Sequence, residues 1–116
     1  MAGPVGLGAA AAVKQRGNAL IIGVDTDWFV SAPEYQDIVL TSVLKHLELS
    51  VQTAAKALAD GSFTGEVKVA TLANGEIGIA PFHNFESKVS PDLQGELDKI
   101  KAGIIDGSIP VASYLG

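Results

Sequence analysis

Apolar and polar positions change period several times along the chain, and each change marks an element. Leu7 to Arg16 is Ala-rich and is followed by Gly17, the residue expected just past a helix C-terminus. A short helix is predicted there, behind a Gly3-Pro4-Val5-Gly6 loop. Ala19-Leu20-Ile21-Ile22-Gly23-Val24 is apolar without interruption and too short for a helix, which suits a strand covered on both faces of a parallel sheet. Asp25 to Gln36 contains Pro33 and several polar residues, so it reads as a loop leaving the carboxyl end of that strand. Val39 to Leu44 forms a second strand with Lys45 at its end. From Leu47 the period lengthens: Leu47, Val51, Ala54, Ala55 and Leu58 make one helical stripe closed by Gly61. Glu66 to Leu72 alternates and runs through Asn74-Gly75 into Glu76 to Ala80, the pattern of a β-hairpin. Ser90-Pro91-Asp92 starts a last helix, whose stripe Leu93, Leu97, Ile100 and Ile104 ends at Gly107.

Helix, buried strand, loop and strand in that order predict an α/β domain with a parallel sheet. The 116 residues allow one compact domain, and 47% hydrophobic residues are enough for a core of Ala, Val, Leu and Ile. Thirteen acidic against eight basic residues give a net charge of −5, so a broad phosphate-neutralising surface is excluded and nucleic acid is not an expected partner. Without cysteine there are no disulfides. His46 and His83 stand far apart with no metal-ligand spacing around them, so no metal is expected. The apolar run Ala9–Val13 is too short to span a bilayer. Lys14 and Arg16 follow it rather than precede it, so the first seventeen residues read as fold and not as an export signal. A glycine-rich loop with no strand before it leads to the expectation that the chain is a piece of something longer.

Three stretches carry candidate chemistry. Gly3-x-x-Gly6-x-Gly8 reverses the spacing of a dinucleotide fingerprint and lacks its leading strand, so it reads as glycines that admit a tight entry into a helix. Asp25 and Asp27 follow the buried strand, with Trp28 and Phe29 next. Ligands of open α/β sheets collect outside the carboxyl ends of strands, where a carboxylate can accept hydrogen bonds from adjacent sugar hydroxyls while an indole covers an apolar face. The alternative is that Asp25 caps a turn and Trp28 packs on the domain edge. Lys45, at the end of the second strand, is placed to point into the same crevice. His46 reads as surface, and Phe82-His83-Asn84-Phe85 as a packing corner with a hydrogen-bonded histidine.

Four motifs in order carry a resemblance: Ile22-Gly23-Val24-Asp25-Thr26-Asp27, Val39-Leu40-Thr41-Ser42-Val43-Leu44-Lys45, Gly78-Ile79-Ala80-Pro81-Phe82-His83-Asn84-Phe85 and Lys101-Ala102-Gly103-Ile104-Ile105-Asp106-Gly107. Through them the chain resembles the basic membrane protein family, the substrate-binding lipoproteins of ABC transporters, similar to purine nucleoside receptor lipoproteins. The resemblance implies a partial type I periplasmic-binding-protein fold: an α/β, flavodoxin-like three-layer sandwich with a parallel sheet and a C-terminal β-hairpin plus helix. It implies that residues 1–116 are the C-terminal part of a two-lobed protein, with residues to about 40 from one lobe and about 41–116 crossing to the other and back.

By the same likeness Asp25 matches the acidic residue that holds ribose hydroxyls, and Lys45 matches a lysine lining the cleft. Gly3 to Gly6 match a Gly-Gly-Thr-Gly turn beside the ligand, although Pro4 and Val5 replace its central pair and so remove a backbone donor and a hydroxyl. Asp27 and Trp28 complete the expected ligand-binding set. The implied function is capture of a nucleoside or related hydroxylated small molecule for an ABC permease, outside the cytoplasm, as a periplasmic or lipid-anchored protein, without catalytic residues, cofactor or metal. An incomplete cleft leads further to weak binding and a homo-oligomer. The rival readings are a small α/β enzyme with Asp25 or Asp27 as general base, and an oligomerising fragment that binds nothing.

Overall fold

The computed structural model describes residues 5–112. Helix α1 spans Val5–Arg16, strand β1 Ile21–Asp25, the single-turn helix α2 Trp28–Ser31, strand β2 Val39–Lys45, helix α3 Leu47–Asp60, strand β3 Ile77–Ile79 and helix α4 Leu93–Asp106. Short 3₁₀ turns lie at Pro33–Tyr35 and His83–Lys88. The α/β class is as expected. The sheet is mixed, however: in the order β1-β2-β3, β1 and β2 run parallel while β3 is antiparallel to β2.

The helix boundaries follow local chemistry. Helix α1 carries Lys14 and Arg16 in its last turn, where cations complement the helix dipole, and Gly17 leaves it at φ 68°. It begins at Val5, so Gly6 is buried in its first turn rather than in a loop; Gly3 and Pro4 lie outside the described residues. Helices α3 and α4 both end on glycines in the left-handed conformation, Gly61 and Gly107. The predicted loop from Asp25 to Gln36 is more ordered than its composition suggests, because Asp27 caps α2 by accepting the Phe29 N–H at 3.0 Å.

The predicted hairpin does not form. Glu66–Leu72 adopts no strand, and β3 finds its partner in β2, pairing Lys45 with Ile77 and Val43 with Ile79. Alternation alone gives a strand only when one face has something to pack on, and Val67 is 92% exposed. The Asn74 side chain closes a compact corner instead. Its Oδ1 accepts the N–H groups of Thr71 and Glu76, and its Nδ2 donates to the carbonyl of Val69.

The core lies where α1, α2 and the start of β2 meet. Ala10, Trp28, Ile38 and Val39 form it, flanked by Val13, Ile21 and Tyr35. A bulge makes this possible: Ile21 faces Val39 and Ile22 faces Thr41, so β2 contains one extra residue. Residues three apart on a regular strand point to opposite faces, yet with the bulge both Val39 and Ser42 meet the Trp28 side of the sheet. Strand β1 is covered on this side only; Ile22, Val43 and Ile79 stay exposed. The helical stripes are present but uncovered, with Leu47, Val51 and Leu58 on α3 and Ile100 on α4 all exposed.

Gly23 is the tightest point of the core. A β-carbon there would stand 2.5 Å from Ser42 Oγ and 2.6 Å from the Trp28 ring. Gly23→Ala is expected to destabilise the chain by about 1–3 kcal/mol through overpacking, read as a lower urea midpoint at unchanged m-value.

Candidate ligand site at the strand ends

The site is assembled by the parallel pair. Asp25 ends β1 opposite Leu44 of β2, so the next residue of β2, Lys45, reaches across to it. The Lys45 ammonium lies 2.7 Å from Asp25 Oδ1, with the lysine side chain 53% and the aspartate side chain 31% exposed. The contact is an ion pair rather than an aligned hydrogen bond. Oδ1 is sealed from solvent and accepts no hydrogen bond of good geometry, so the exposure of the side chain falls on its remaining atoms. Asp25 also has φ 79°, a left-handed backbone that non-glycine residues adopt rarely and that marks strained positions at binding sites.

Asp25 opens onto a groove of about 320 Å³ lined by Leu7, Val24, Asp25, Thr26, Trp28, Ser31 and Ala32. The first turn of α1, which contains Gly6, therefore borders the groove through Leu7. Three larger grooves hold neither Asp25 nor Lys45. One, of about 390 Å³, runs between the β3 region and α4; a second, of about 450 Å³, lies beside α3; a third, of about 360 Å³, lies between the end of α1 and Phe85. The smaller groove is the candidate because Asp25 lines it together with the hydroxyl residues Thr26 and Ser31.

Trp28 is seated differently from a ligand-stacking residue. Its indole is buried, its Nε1 donates to the carbonyl of Val24 at 3.1 Å and its backbone N–H donates to Ser42 Oγ at 3.0 Å. It forms the floor of the groove rather than a free face. Asp27 is likewise engaged at both oxygens: Oδ1 accepts the Phe29 N–H, and Oδ2 lies 2.7 Å from His83 Nε2. His83 stacks on Phe29 with ring centroids 4.0 Å apart and 10° between the planes. The hydrogen-bonded corner expected at Phe82–Phe85 is therefore present, and its partner is Asp27, 56 residues away, a pairing that no local pattern announces. His46 precedes α3, and its ring Nδ1 lies 2.9 Å from Oε1 of the exposed Glu48.

A buried carboxylate that the sequence did not single out belongs to a residue whose backbone is bonded just past the end of β2. Glu76 is 2% exposed, its Oε1 lies 2.8 Å from Lys68 Nζ, and its carbonyl accepts the His46 N–H, next to Lys45, at 2.9 Å. The Lys68 ammonium holds the Glu76 carboxyl below its ordinary range, against the opposing effect of burial. Glu-x-Lys alternation in a segment predicted as strand hid this pair, because the contact depends on the corner that Asn74 makes. Among the described residues no cluster of three His, Asp or Glu side chains could hold a metal ion. No helix among them is long and apolar enough to cross a membrane.

A partly exposed ion pair at the carboxyl ends of parallel strands, beside a groove, is the place where open α/β sheets bind small molecules. The family model of PnrA-like ABC transporter substrate-binding proteins, Bmp, matches residues 1–111, and the chain belongs to that family. No curated protein matches the chain. Membership gives the chain a substrate-binding role in ABC transport, with a small-molecule ligand and a transporter as partner, and sets it among extracytoplasmic binding proteins rather than enzymes.

The depressed Glu76 fixes a pH dependence. Its contribution to stability is complete above the unfolded glutamate value of about 4.3 and disappears as the pH falls through the lower folded value. In thermal unfolding scans the stability advantage of the native chain over Glu76→Gln is expected to be constant above about pH 6 and to shrink progressively toward pH 3.

Proposed function

We propose that this chain contributes one wall of a nucleoside-binding cleft, with Asp25 and Lys45 as its polar anchors. The observation that carries the reading is the 2.7 Å Asp25–Lys45 pair at the strand ends, with Asp25 itself lining a groove there. The exposed carboxylate oxygen has two lone pairs that can accept hydrogen bonds from neighbouring hydroxyls, which suits vicinal diols such as ribose, while the lysine offers its own donors to a hydroxyl or carbonyl. Gly6 borders the ligand through the start of α1, Trp28 supplies the floor, and Asp27 supports the corner.

The wall is one side of a cleft, and a second lobe supplies the surface that covers the base. Closure of the two lobes on the solute is what a permease senses, in a protein held at the membrane by a lipid anchor or free outside it. The exposed apolar stripes of α3 and α4 support this reading, because such faces normally lie against another element. In this chain alone the half-site loses burial and pre-organisation, so its affinity is low, and a second copy covers the apolar faces.

Calorimetric titration of the two-lobed parent with inosine, cytidine and ribose tests the ligand class. Asp25→Ala is expected to weaken nucleoside binding about 10- to 100-fold, the scale of hydrogen bonds to a charged group. Equal affinity in that variant removes Asp25 as an anchor, and failure of all three compounds to bind rejects the nucleoside class. For the 116-residue chain, light scattering coupled to size exclusion is expected to give a dimer or larger assembly. A clean monomer overturns the association.

A further inference from the structure

Two non-glycine residues among those described have left-handed backbones, Asp25 at φ 79° and His83 at φ 46°. They belong to one set of contacts. Ala80, just after β3, is tied to β2 twice: its N–H donates to the Ser42 carbonyl at 2.8 Å, and its carbonyl accepts the Thr41 hydroxyl at 2.7 Å. Three residues further on, His83 reaches Asp27 Oδ2 at 2.7 Å and lies flat on Phe29. Asp27 stands two residues after Asp25, which returns to β2 through Lys45. The path β2, Ala80, His83, Asp27, Asp25, Lys45 is a closed ring that starts and ends on the same strand.

We propose that the Asp27–His83 contact is a latch that aims the Asp25 carboxylate, making His83 a positioning residue for the Asp25–Lys45 pair. The backbone on one side of Asp25 is held by the β1–β2 ladder. On the other side Thr26 is tied only within the α2 turn, through Ser31 Oγ at 3.1 Å, and Asp27 Oδ1 is spent on the local cap of that same turn. A four-residue helix cannot hold its own position, since one turn nucleates poorly without tertiary support. Beside the Trp28 seat and the Gln36 amide, which donates to the Phe29 carbonyl at 2.8 Å, His83 provides that support from 56 residues away, gripping the cap carboxylate and the Phe29 ring together. Released from His83, the corner between Asp25 and Asp27 gains freedom, and a residue with a strained left-handed backbone is the first to use it. The Asp27 and His83 side chains are each 21% exposed, so the latch is screened without being sealed.

This inference rests on reading Asp25 and Lys45 as the anchors, and its test needs no ligand. The rate at which Lys45 is acetylated by an N-hydroxysuccinimide ester, measured by mass spectrometry relative to Lys56 on α3, reports how firmly Asp25 holds the ammonium. His83→Ala is expected to raise that ratio about threefold, the scale of one lost hydrogen bond. His83→Gln, which keeps an N–H donor for Asp27, is expected to return it toward the native value, a rescue that loss of ring packing alone does not predict. Asp27→Asn keeps a good helix cap while weakening the contact, so it is expected to behave like His83→Ala and decides the matter if that variant fails to fold. An unchanged Lys45 ratio in a folded His83→Ala or Asp27→Asn chain overturns the latch. If inosine fails to bind the native parent while the ratio responds, the nucleoside reading falls and the latch stands; if inosine binds and the ratio is flat, the reverse holds.

Discussion

The close approach of Trp28 to Gly23 governs how the chain leaves its first strand. With no side chain at Gly23, the indole settles directly on β1, its N–H groups are taken by Val24 and Ser42, and α2 is held against the sheet although it is only four residues long. The bulge in β2 brings Val39 and Ser42 to the same side and completes the seat. Because Trp28 is held inward, the two acids before it are separated in role. Asp25 is left at the lip of the groove beside Lys45, and Asp27 is turned toward its helix cap and His83. Two carboxylates one residue apart thus acquire different work from backbone geometry alone.

The same economy of contacts explains what the sheet does not cover. Only the α1 and α2 side carries a packed core, while the opposite face and the stripes of α3 and α4 retain exposed apolar residues. Apolar area left in water contributes nothing to folding, and it contributes fully once another surface removes it from solvent. The interior thus fixes the strand ends where Asp25 and Lys45 meet, and the uncovered faces stay in solvent.

Much of the local structure was legible because it depends on neighbours in sequence. Gly17, Gly61 and Gly107 end helices at positive φ wherever they occur, and the apolar run before Asp25 forms a strand with its carboxyl end at that acid. The errors have a common origin. Alternation at Glu66–Leu72 promised a strand, but a strand needs something for one face to pack on, and Val67 in that segment is 92% exposed although the outer edge of β3 is free. The apolar stretch of β1 suggested cover on both faces, yet burial depends on what packs above it. Glu76 escaped notice because a carboxylate in an alternating segment looks solvated until a corner folds it against Lys68.

The sequence by itself determined the α/β class, the helix ends and the position of Asp25 and Lys45 at strand termini, since these follow from propensity, capping and period over a few residues. Only the tertiary structure decided that β3 runs antiparallel, that Trp28 is a floor instead of an exposed stacking face, and that His83 meets Asp27. Those outcomes join residues tens of positions apart, and contacts at such separation are selected by competition among surfaces for burial and hydrogen bonds, which no local pattern records.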